Sequence, residues 1–226
     1  MKLFPYKSSR DSAGRAEFDQ LRAQVEAEVA RPGVVAMTAA SRPDAPGVAA
    51  RGLAESLALA GYATLLIATS SEAGGAATMT LQDVAHSITP DATAAGPVVV
   101  SAGNSAQQRH VSRRAVQLAF ETLRRKFDYV VVEASYENAL PFATSVIAAS
   151  DAVLVAVKAG RRERGADARL ATALERDGVT FLGIVALDAK AIADAAPALG
   201  NGRIERPSTH TSNGNARPEV VDALVR

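Results

Sequence analysis

The residues best suited to chemistry fall in one stretch, Thr38-Ala39-Ala40-Ser41-Arg42-Pro43-Asp44-Ala45-Pro46-Gly47-Val48, which follows an apolar run and precedes a helical pattern. At a strand-to-helix turn, backbone N–H groups converge on phosphate oxygens, so the chemistry to weigh first is phosphate binding and phosphoryl transfer. Arg42 offers a cation, Ser41 a hydroxyl, and Asp44 with the later Glu133 offers carboxylates. Pro43 and Pro46 count against it, because each removes a backbone donor and fixes φ. Lysine is missing too: the five in the chain are Lys2, Lys7, Lys126, Lys158 and Lys190, and none is near this turn.

Composition removes several other chemistries. With no cysteine there is no disulfide, thiolate metal site or cysteine nucleophile. His86, His110 and His210 are scattered without metal-ligand spacing, and no G-x-S-x-G elbow occurs. The 25 basic and 24 acidic side chains leave a net charge of +1, which gives no general pull toward nucleic acid or anionic lipid. Basic clusters at Arg113/Arg114, Arg124/Arg125/Lys126 and Arg161/Arg162/Arg164 contain no aromatic residue for base stacking and read as solvated faces. No apolar stretch approaches the roughly 20 residues that cross a bilayer, so direct membrane insertion is not expected. The N-terminus lacks the apolar core of a secretory signal, and the expected compartment is the cytoplasm.

The elements that would position the turn are legible from hydrophobic pattern. Phe18, Leu21, Val25 and Val29 form one helical stripe, closed by Arg31-Pro32-Gly33. Strands are expected at 34–39, 63–68, 97–101, 129–134, 152–157 and 181–187, each apolar along its length, as in parallel strands covered on both faces. Helical patterns lie at 48–59, 111–127, 140–149 and 164–177. The alternation predicts an α/β fold with a doubly wound, mostly parallel sheet and helices on both faces. Residues 1–14 read as a flexible N-terminal segment, 15–199 as the α/β domain, and 200–226 as a polar flexible tail rich in Asn, Gly, Ser, Thr and Pro. A membrane-targeting helix at its end is disfavoured by Glu219 and Asp222.

Several segments, in unbroken order over about residues 16–188, resemble the MinD/ParA-like P-loop ATPases, and most closely the bacterial tyrosine kinases of capsule and exopolysaccharide synthesis. They are AEFDQLR at 16–22, VVAMTAAS at 34–41, LALAGYATLLIA at 57–68, FDYVVVEAS at 127–135 and AVLVAVKAG at 152–160. The resemblance implies a P-loop NTPase-like fold, and it also exposes departures. Thr38 and Ser41 match the start of the family's phosphate loop, but Pro43 and Ala45 fall on its glycines. Pro46 falls on its lysine, and Gly47 and Val48 on its Ser/Thr pair. The acidic motif after the second strand becomes Ala68-Thr69-Ser70, and the later acidic position is Glu133. Glu133 reads either as a metal-organising acid or as a buried carboxylate paired with a donor, and the second is favoured because buried charge must be paired.

Two further family features are thinned. The E-x-x-R-x-x-R pattern used for ring assembly appears as Ala16, Asp19 and Arg22, so a ring built that way is not expected, while another homo-oligomer stays open. A C-terminal tyrosine cluster is absent; the tyrosines are Tyr6, Tyr62, Tyr129 and Tyr136. The resulting expectation is a non-catalytic pseudo-ATPase or pseudokinase without ATP or magnesium. By resemblance it binds an inner-membrane polysaccharide co-polymerase or another exopolysaccharide assembly protein, and so sits peripherally at the inner membrane. Two alternatives stay open: a ParA/MinD-like positioning factor that has lost its nucleotide switch, and a kinase or ATPase with a site rebuilt from Arg42, Asp44 and Glu133.

Overall fold

Unbroken runs of apolar, often β-branched residues favour buried strands, and each of the six expected runs is a strand in the computed structural model. The structure describes residues 3–6, 12–39, 44–68, 79–90, 96–102, 112–135, 140–159, 170, 172–176 and 178–187. In chain order the elements are β1 (Leu3–Tyr6), α1 (Ser12–Glu28), β2 (Gly33–Ala39), α2 (Asp44–Leu59), β3 (Thr64–Ala68) and α3 (Leu81–Ser87). They continue with β4 (Val98–Ser101), α4 (Arg113–Arg124), β5 (Tyr129–Ser135), α5 (Leu140–Ala149), β6 (Ala152–Lys158) and β7 (Phe181–Leu187). Of the helical pattern at 164–177, residues 170 and 172–176 are helical; the expected tail at 200–226 lies outside the described residues.

The strands form one seven-stranded sheet in the order β1-β7-β6-β2-β5-β3-β4, with every neighbouring pair parallel. Alternation along each strand sends side chains to two separate cores. Val130, Val132 and Ala134 of β5 pack with Leu81 and Val84 of α3, Phe120 and Leu123 of α4, and Phe142 and Val146 of α5. Tyr129 and Val131 pack on the other face with Phe18, Leu21 and Val25 of α1 and Leu53 and Leu57 of α2. The fold is therefore α/β and doubly wound. Glu133 shares the parity of Tyr129 and Val131, so its side chain enters the layer that holds α2.

Three elements depart from the sequence expectation. Leu3–Tyr6, inside the segment expected to be a flexible lead-in, pairs with β7 from Leu3↔Ile184 to Tyr6↔Leu187, and α1 already begins at Ser12. Helix α2 starts at Asp44, four residues before the expected 48, and so takes Pro46 and Gly47 into its first turn. That is chemically permitted, because N–H groups in a first turn have no intrahelical partner for a proline to forfeit. Finally, α3 is a short helix that was not anticipated. Its signal is a capping box: the Thr80 hydroxyl accepts from the Asp83 N–H at 3.2 Å, and the Asp83 carboxylate accepts from the Thr80 N–H at 3.0 Å. At its other end the Lys126 ammonium donates to the carbonyls of Ala85, His86 and Ile88 at 2.8, 3.2 and 3.0 Å.

Candidate functional site

In an open parallel sheet the ligand crevice lies beyond the carboxyl ends of the strands, beside the point where strand order reverses. Here that point flanks β2, which has β6 on one side and β5 on the other. The end of β2 is tightly held. Thr38 is fully buried and its hydroxyl donates to the Ala134 carbonyl at 2.6 Å, tying β2 to β5 at the top of the sheet. A hydroxyl committed in this way is a structural staple across the strand pair.

The next described residue after β2 opens α2, whose first turns bury Pro46, Gly47 and Val48. Across from them stands Glu133 of β5, 1% exposed and in register with Met37. A β-carbon built on Gly47 would lie 3.4 Å from the carboxyl carbon and from both carboxylate oxygens of Glu133. Residues 86 positions apart are thus brought face to face: Gly47, aligned with the hydroxyl position of the phosphate loop, and Glu133, aligned with its later acid. The carboxylate is buried.

The remaining residues singled out from sequence fall in different places. Asp44 is the first residue of α2, while Ser41, Arg42 and Ser70 lie outside the described residues. Ala68 ends β3, half-buried, and its carbonyl accepts from the Ala102 N–H at 2.9 Å. Asp19 and Arg22 are on α1 and far from the turn in role: the Ser56 hydroxyl of α2 donates to Asp19 at 2.7 Å, and Arg22 bonds Glu26 at 2.8 Å. These contacts fasten α1 to α2 and to itself. Leu187, the last residue of β7, is fully buried in the core with residues of α1 and α2.

The first described residues of α2 are Asp44, Ala45, Pro46, Gly47 and Val48, and Lys158 ends β6, the strand beside β2. Among the described residues no group of three His, Asp or Glu is placed to hold a metal ion. No helix among them is long and apolar enough to cross a membrane. Of the basic clusters, Arg124 pairs with Asp151 through Nη2 at 2.8 Å to both carboxylate oxygens, and Lys126 is committed to α3. Arg113 and Arg114 are exposed at the start of α4.

No protein-family model matches the sequence, and no curated protein is significantly similar to it. Solved structures are similar in fold. The chimerical protein CapA2B2 is 16% identical, with 82% of this chain and 92% of that one covered at a TM-score of 0.66. The kinase domain of the Escherichia coli tyrosine kinase ETK is 18% identical, covering 90% and 81% at 0.56. The BceF tyrosine kinase domain is 18% identical, covering 77% and 74% at 0.50. The fold is that of the bacterial tyrosine kinase domains, as the resemblance implied.

One expectation is corrected. Solved structures with fold similarity to this chain include cobyrinic acid a,c-diamide synthase from Mycobacterium smegmatis, once with ADP and magnesium and once with an ATP analog and magnesium, each at a TM-score of 0.47. The expected absence of ATP and magnesium is withdrawn. Its weakness is physical: much of a phosphate loop's grip comes from backbone N–H groups at a helix start, which the loss of particular side chains does not remove.

Proposed function

We propose that the chain is a non-catalytic relative of the bacterial tyrosine kinases, a cytoplasmic protein of capsule or exopolysaccharide synthesis or export that works by binding a partner. The observation that carries this reading is the pairing of Gly47 with Glu133 at the start of α2. Phosphoryl transfer is accelerated almost wholly by positioned cations and metal ligands around the moving phosphate. At the aligned positions this chain has a buried proline, a glycine and a carboxylate one methylene longer than the family's aspartate. Loss of turnover is compatible with a retained nucleotide, because binding and transition-state stabilisation rest on partly different groups.

The partner that best suits the resemblance is the cytoplasmic end of an inner-membrane polysaccharide co-polymerase, which would place the chain peripherally at that membrane. This step is one of analogy, since surfaces for binding can be kept on a fold whose active site is dismantled. It is tested by mixing the purified full chain with a detergent-solubilised two-helix polysaccharide co-polymerase from the same organism. Co-elution supports the proposal; separate elution at micromolar concentrations of both overturns it.

A further inference from the structure

We draw no further inference here: the strongest candidate, the uncharged edge strand β4 with its half-exposed Val99, carries nothing because nothing in the structure shows what covers it.

Discussion

Gly47 of α2 and Glu133 of β5 face each other so closely that a β-carbon on the glycine would touch the carboxylate at 3.4 Å. A β-carbon would just reach contact with the carboxylate, so a side chain that extends further toward it has no room. Gly47→Thr is expected to cost about 1–3 kcal/mol by overpacking. Glu133→Asp in the same chain should recover part of that, giving a coupling of at least about 0.5 kcal/mol between the two positions. Urea unfolding of the two single variants and the double variant measures it. Additive losses would mean that the two side chains do not share the space.

Gly52 of α2 lies directly against the Phe18 ring of α1. A β-carbon there would fall 2.2 Å from the Phe18 ring, which is itself only 7% exposed. Alanine is normally favoured over glycine in a helix by about 1 kcal/mol. Here Gly52→Ala is expected to destabilise by about 1–3 kcal/mol instead. Phe18→Leu in the same chain should relieve most of the clash, and thermal unfolding reads both.

Asp151 and Arg124 should not be equal partners. The Asp151 carboxylate accepts the Val34 N–H at 2.7 Å as well as the Arg124 guanidinium. Asp151→Ala strips a backbone donor at the start of the central strand of its acceptor and is expected to cost about 1–2 kcal/mol. Arg124→Ala breaks only a partly exposed ion pair and should cost less than about 1 kcal/mol. Equal losses in denaturant titrations would contradict this ordering.

The capping box of α3 should make that helix sensitive to acid. Hydrogen bonds from the Thr80 hydroxyl and then the Thr80 N–H hold the Asp83 carboxyl below its ordinary value of 3.8. A depressed folded value means that the stabilisation is complete above the unfolded value and is lost as pH falls through the folded one. Amide exchange in α3 should therefore quicken relative to α4 as pH drops below 3.8, and Asp83→Asn should abolish that trend. Parallel behaviour of the two helices throughout would refute it.

Much of the architecture is legible because parallel strands buried on both faces, such as Tyr129–Ser135, leave largely apolar runs of strand length between helical patterns. The edge strand Leu3–Tyr6 is not: it has four residues, one of them proline, and its pairing with β7 is settled by contacts about 180 positions away. The start of α2 misleads for a local reason, since Asp44-Ala45-Pro46-Gly47 carries turn residues yet sits in a first helical turn that tolerates them. In the site, alignment to the family's motifs singles out Gly47 and Glu133 separately. Their contact depends on strand order and register, which no local pattern encodes. The bond from Ser56 to Asp19 was equally hidden, because it depends on how α2 packs against α1.

The most direct test of the non-catalytic reading is a turnover assay on the purified full chain with ATP and magnesium, following phosphate release and tyrosine phosphorylation, beside Glu133→Gln. The expected result is no product above the buffer blank for either protein. Turnover by the wild type that falls by about 10²-fold or more in Glu133→Gln would contradict the account, because it would make the buried carboxylate facing Gly47 a working part of a catalytic site.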